Sequence, residues 1–186
     1  MAKESTRDRI LRAAKDLFYG EGIRNVGVDA IVTRAGVTKP TLYYYFASKD
    51  ALVAAYLEQR NDAILTSLAK TIQQARGRIG DKIAAIFESV AAATPNPRWK
   101  GCPIVRGAAE FAADPKHMAR RIASRHKKQV EAWLAQQLKR EKIAGANVKA
   151  RQLAILLDGA IVHAFMHGDP EYARAAGAAA RALLRT

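Results

Sequence analysis

The stretch Val28-Asp29-Ala30-Ile31-Val32-Thr33-Arg34-Ala35-Gly36-Val37-Thr38-Lys39-Pro40-Thr41-Leu42-Tyr43-Tyr44-Tyr45-Phe46 reads as two short helices joined at a glycine. Ile31 and Ala35 stand four apart and so share one face of the first helix. Gly36 follows where a left-handed turn residue is needed, and Val37 packs back. Thr38 caps the second helix through its side-chain oxygen. Pro40 is tolerated near the start because the first amides of a helix have no partner in any case. A helix-turn-helix requires a small residue in the first helix, a glycine in the turn and apolar residues between the two helices. Ala35, Gly36, Val37, Ile31 and Leu42 supply these.

What the second helix leaves outside is Thr38, Lys39, Pro40, Thr41, Tyr43 and Tyr44. None is acidic and all but Pro40 donate hydrogen bonds, as a surface facing phosphate requires. Three successive helical tyrosines span roughly 200° of arc, so Tyr43, Tyr44 and Tyr45 cannot all face one core. A recognition helix enters the major groove N-terminus first, which puts Thr38, Lys39, Pro40 and Thr41 nearest the base edges. Lys39 can donate to guanine O6 or N7, and Thr41 and the Pro40 ring can touch thymine methyls. Tyr43 and Tyr44 reach toward flanking phosphates. Ser48 and Lys49, at the positive end of the next helix, form a phosphate clamp.

Helical spacing continues on both sides. Upstream, Ser5 or Thr6 caps a helix with Ile10, Leu11, Ala14, Leu17 and Phe18 on one face, stopped by Gly20 and Gly22. Downstream, Ser48 caps a long helix with Leu52, Tyr56, Leu65, Leu68 and Ile72 on one side, closed by Gly77 and Gly80. Ile83, Ile86, Phe87 and Val90 form the next stripe, up to Thr94-Pro95-Asn96-Pro97. A helix from Cys102 or Pro103 to Ala112 follows, then a long one carrying Met118, Ile122, Val130, Trp133, Leu134 and Leu138. Two last helices, about 148–167 and 170–184, are separated by Gly168-Asp169-Pro170. The expectation is an all-α chain of about nine helices without strands.

Composition agrees. Among 186 residues there are 38 alanines against 12 glycines and 6 prolines, and alanine is the best helix former and a poor strand residue. The 49% hydrophobic content excludes disorder. A single cysteine, Cys102, excludes a disulfide framework and a Cys-rich zinc site. The polar start Met1-Ala2-Lys3-Glu4-Ser5-Thr6-Arg7 leads into no apolar run, and the most apolar stretch, Gln152 to Gly168, is too short for a span and carries Asp158. No membrane association is expected, and a cytoplasmic location is. The net charge of +14 favours an anionic partner such as nucleic acid, but its excess is uneven: residues 97–151 hold fourteen basic and four acidic residues, against nine and six in residues 1–50. No carboxylate pair, Ser-His-Asp set or phosphate loop stands out, and His117, His126, His163 and His167 lie near no nucleophile in sequence, so neither catalysis nor a cofactor is expected.

Ala35 through Phe46, followed by Ser48-Lys49-Asp50-Ala51-Leu52, resembles the DNA-binding signature of the TetR family of transcriptional regulators. Ile10-Leu11-Arg12-Ala13-Ala14, with Leu17-Phe18 and Gly20 to Gly22, resembles that family's first helix. The resemblance covers about residues 6–58. It implies an all-α homodimer that binds an inverted-repeat operator and releases it when a small molecule enters the C-terminal domain. Val26-Gly27 departs from it, since members often carry Thr or Ser there; glycine still caps a helix but offers no hydroxyl to a phosphate.

Residues 1–50 are thus expected to form a three-helix, helix-turn-helix DNA-binding domain, and 51–186 a ligand-binding and dimerisation domain. Small residues line the last two helices: Ala154, Gly159, Ala160 and Ala164, then Ala173, Ala175, Ala176, Ala179, Ala180 and Ala182. Gly159 suggests a close helix crossing, and pairing of these helices between two chains would make a four-helix bundle. Candidates for a ligand pocket are Phe87, Trp99, Phe111, Trp133, Asp158, His163, Phe165, Met166 and His167. His163 and His167 are spaced to ligate a metal on one face, but no third ligand is evident and no metal site is assigned. Asp158 in an apolar helix calls for a cationic partner. Cys102 precedes Pro103 at a helix start with Lys100 and Arg106 nearby, the setting of an electrophile or oxidant sensor. The expected function is a sequence-specific regulator, a repressor released by a small molecule. The alternatives are a non-specific basic DNA-binding protein and a TetR-like redox sensor acting through Cys102.

Overall fold

The computed structural model describes residues 4–185, and among these every regular element is helical. They run α1 Thr6–Glu21, α2 Val28–Ala35, α3 Lys39–Tyr45, α4 Lys49–Gln74, α5 Ile79–Ala93, α6 Pro103–Ala109, α7 Met118–Arg140, α8 Ala146–His167 and α9 Glu171–Leu183. None of the described helices is long and apolar enough to cross a membrane.

Local chemistry sets the boundaries. Ser5 accepts from the Asp8 N–H at the start of α1, Thr38 from the Thr41 N–H at α3, and Ser48 from the Ala51 N–H at α4. Each such cap contributes about 1 kcal/mol. Gly36 closes α2 at φ +62°, a left-handed conformation that side chains rarely adopt.

The chain divides into two compact units, and the division does not fall at residue 50. The first takes in residues up to Asp62 together with Cys102–Ser124, and the second Ala63–Gly101 together with the chain from Arg125 onward. The reason is burial. In the first unit Ile10, Phe18, Ile31 and Leu42 share a core with Leu52, Val53, Tyr56 and Leu57 of α4 and with Ala119 and Ile122 of α7. Phe18 meets Tyr56 edge to face, centroids 5.5 Å apart.

Within this unit α6 is fastened to the corner between α1 and α2. The Glu110 carboxylate accepts from the Ile23 N–H at 2.9 Å and from the Arg24 N–H at 2.7 Å. Arg106 donates to the Tyr19 carbonyl at 2.9 Å and Arg24 to the Glu110 carbonyl at 3.1 Å. Two glycines permit the approach. A Cβ at Gly107 would stand 3.0 Å from Ile23 Cδ1, and one at Gly22, where φ is +94°, would stand 3.3 Å from Glu110 Oε2.

The second unit packs Ile83, Ile86 and Phe87 of α5 and Val130, Leu134 and Leu138 of α7 against α8 and α9. Here the small residues behave differently from expectation. Ala173, Gly177 and Ala180 are buried inside the chain, and a Cβ at Gly177 would lie 3.0 Å from Phe87 Cβ on α5. Within this unit the close crossing is therefore at Gly177. A Cβ at Gly159 would meet nothing within 4 Å.

Candidate nucleic-acid interface

Leu42 is the only buried residue of α3. It anchors a helix of seven residues to the core through one side chain and turns the others outward. Tyr43 is 46% exposed, Tyr44 82% and Tyr45 39%, so all three tyrosines reach solvent. An exposed aromatic cluster of this kind has no packing role to explain it. Tyr44 and Tyr45 touch each other edge to face at 5.0 Å.

At the leading end of α3, Thr38, Lys39 and Pro40 are exposed and Thr41 is half-buried. The Thr38 and Thr41 hydroxyls lie 2.9 Å apart, which fixes both rotors at the tip of the helix. Ser48 is exposed and Lys49 half-buried at the first turn of α4, whose free amides add a fractional positive charge. Thr38, Lys39, Pro40, Thr41, Tyr43 and Tyr44 thus line one short helix and its cap, and Ser48 and Lys49 follow after Phe46 and Ala47.

One partner is not visible in the sequence. Lys39 Nζ lies 2.8 Å from Asp29 Oδ1 in the first turn of α2. The hydrogen bond and charge of Asp29 hold the Lys39 ammonium above its ordinary pKa. Asp29 is inside the stretch that betrays the motif, but spacing alone does not reveal that the first turns of α2 and α3 meet. Glu110 is equally hidden. Its signal is that of a rare acid in a basic segment, and only the fold shows that it grips main-chain amides.

Of the residues expected to form a ligand pocket, Phe111 belongs to the first unit and the others to the second. Phe87 is core, buried between α5 and α9. Phe111 stacks on His117 at 3.6 Å. Trp99 meets Phe165 edge to face at 6.3 Å, Trp133 is half-buried against the core of the second unit, and Met166 is 70% exposed. Asp158 is satisfied by Lys127 of α7. His163 and His167 stack on each other and on Tyr172 of α9, with centroids 4.7–5.8 Å apart. Two clefts in the second unit, of about 600 and 470 Å³, run along α9. Of the expected set only Phe87 lines either of them. Helical spacing puts the aromatics on plausible faces, but which faces turn inward depends on packing that sequence does not display. Cys102 is half-buried at the cap of α6, where its side chain makes no capping hydrogen bond.

Residues 10–56 match the family model described as bacterial regulatory proteins, tetR family. The activator FasR of Mycolicibacterium smegmatis is 30% identical over 93 residues, which cover 48% of this chain and 42% of that one. The repressor NemR of Escherichia coli is 29% identical over 86 residues, 46% of this chain and 43% of its own. The alignments thus span less than half the length of the curated relatives. Solved structures match over far more. A Streptomyces avermitilis protein described as a tetR transcriptional regulator is 30% identical, with a TM-score of 0.75 and 90% of each chain covered. NemR in its reduced form gives a TM-score of 0.86 at 26% identity, covering 98% of this chain and 99% of that one.

Proposed function

This chain belongs to the TetR family of bacterial transcriptional regulators, and from that premise we propose that it is a homodimeric repressor that binds an inverted-repeat operator and is released by a small molecule. The observation that carries the DNA-binding part is α3. A seven-residue helix held by Leu42 alone, capped by Thr38 and exposing Lys39, Pro40, Tyr43 and Tyr44, is a reading head rather than a packing element. Thr38 to Thr41 meet base edges, Tyr43 and Tyr44 the flanking phosphates, and Ser48 and Lys49 clamp a further phosphate at the start of α4.

Dimerisation is supported by α8. Val148, Ile155, Val162 and Met166 stand on the face opposite its buried residues, and all are exposed. They repeat at intervals of seven, seven and four, with open Gly159 among them, as a face for a second helix requires. Ala175, Ala179 and Ala182 of α9 are exposed and extend the low relief. The other small residues, Ala173, Gly177 and Ala180, serve the chain's own core and not the bundle.

Release follows by population shift. A ligand that prefers a form with wrongly spaced reading heads weakens operator binding by its differential affinity. Within the first unit, Glu110 and Arg106 join α6 to the corner between α1 and α2, so a displacement of α6 would carry that corner with it. Cys102 at the cap of α6 supports a second reading, in which modification of that thiol replaces the ligand. The NemR structure in a reduced form is consistent with such a device.

The first experiment is selection of bound duplexes from a fragmented genomic library at two salt concentrations. An inverted repeat recovered at both supports the regulator. Binding without a motif, abolished at the higher salt, would leave a basic protein that coats DNA.

A further inference from the structure

Resting on the DNA-binding reading above, we propose that the corner where α7 begins is a second duplex contact, in which Lys116, Arg120 and Arg121 hold the sugar-phosphate backbone. His117 supplies the placement. Its Nε2 lies 3.8 Å from Asp50 Oδ1, its Nδ1 accepts from the Ala119 N–H at 3.2 Å, and its ring stacks on Phe111 at 3.6 Å. These contacts hold the start of α7 beside Asp50 in the first turn of α4, and Asp50 is next to Lys49 and two residues from Ser48 in the chain. Ala119 and Ile122 are buried in the same core. Lys116, Arg120 and Arg121 are exposed within a few residues of the imidazole that touches Asp50.

Their charges are unmet. Exposed Arg12, Lys39, Arg151, Arg174 and Arg181 each have a carboxylate within 4 Å. Among the described residues no carboxylate pairs with Lys116, Arg120 or Arg121. Asp114 instead accepts from the main-chain N–H of Lys116 at 3.0 Å, and Arg120 donates to the Ala112 carbonyl at 3.3 Å. Three cations within six positions repel one another until a polyanion neutralises them. Guanidinium and ammonium groups on an exposed turn suit phosphate oxygens, and they would add affinity without reading sequence.

The test titrates the full-length protein on a duplex of about 30 random base pairs, over roughly 50 to 200 mM salt. The variants are Lys116→Ala/Arg120→Ala/Arg121→Ala, Lys49→Ala, and Lys128→Ala/Lys139→Ala/Arg140→Ala, which removes the same charge from the second unit. Abolishing one cation–phosphate pairing lowers the magnitude of the slope of log affinity on log salt by about 0.9. The corner variant is expected to reduce the slope by roughly 2–3 units and Lys49→Ala by about 1, with the control triple leaving it unchanged. Equal reductions in the two triples would overturn the contact in favour of net charge. An unchanged slope in the corner variant beside a reduced one in Lys49→Ala would also overturn it, while leaving the α4 clamp standing. Absence of any duplex binding by the unaltered protein would overturn the regulator reading and this contact with it.

Discussion

Asp29 and Lys39 are both exposed, so their 2.8 Å pair contributes little to stability and its interest lies in direction. A carboxylate beside a reading lysine discourages phosphates and leaves the ammonium aimed where a base acceptor can replace it. Lys39→Ala is expected to relax sequence preference by roughly tenfold or more, whereas Lys49→Ala weakens all duplexes alike. Asp29→Asn should tighten binding to random duplex and narrow the gap to the operator. Competition binding with operator and random DNA checks all three, and equal weakening on both sequences for Lys39→Ala would sink the division of roles. A second residue, His126, acts on stability instead. It is 2% exposed, and burial, with the neighbouring Lys127 charge, lowers its pKa to about 4. The unfolded chain therefore binds a proton near pH 6.5 that the folded chain refuses until about pH 4. Its neutral form favours folding above pH 6.5, and that advantage drains away as pH falls to about 4, on the order of 3 kcal/mol in all. Urea unfolding at several pH values should show a fall in stability over this window that His126→Leu reduces.

At the scale of the element, legibility follows locality. The caps at Ser5, Thr38 and Ser48 and the turn at Gly36 depend on neighbours within four residues; the amino-acid pattern alone announces the last three and narrows the first to Ser5 or Thr6. Two glycines show where such reading stops. Gly159 has the sequence setting of a helix crossing and is open within the chain, on the face proposed for a partner, whereas Gly177, among identical-looking alanines, makes the tight approach to Phe87 inside it. The difference is set by which face of α9 meets α5, a long-range fact. The expected pocket residues are illegible for the same reason: residue type marks Phe87 as a lining candidate, and only the fold shows its ring packed beside Gly177 of α9. The α8 stripe offers the clearest elemental prediction. Ile155→Asp puts a charge at the centre of the proposed dimer face, where it would be desolvated beside its own copy. Sedimentation should show the 20.3 kDa chain as a dimer and the variant as a monomer with weakened operator binding. A variant that remains dimeric would place the interface elsewhere.

For the whole molecule, the decisive quantity is the separation of two reading heads in a dimer. Successive half-sites on one face of the duplex lie about 34–36 Å apart, or 10–10.5 base pairs. Inserting about five base pairs between the operator half-sites turns them to opposite faces and should reduce affinity at least a hundredfold. About ten should restore part of it. A protein indifferent to both insertions binds as separate heads. The unit that carries each head is discontinuous in sequence, and this bears on how such regulators can be recombined. A cut at residue 50 strips away Leu52, Tyr56, Ala119 and Ile122, so the severed piece would expose its core. Yet the joint that holds α6 to this piece is made largely from main-chain groups: Glu110 takes two backbone amides, and Arg106 gives to a backbone carbonyl. Such a socket reads mainly the backbone path of the corner, with the Ile23 side chain seated over Gly107 as its chief demand on residue type. A foreign head that keeps Gly22 and an apolar residue at position 23, and whose core fits Leu52, Tyr56, Ala119 and Ile122, should plug into it against Gly107 of α6, so specificity for DNA and response to a signal can be traded between proteins as separate goods.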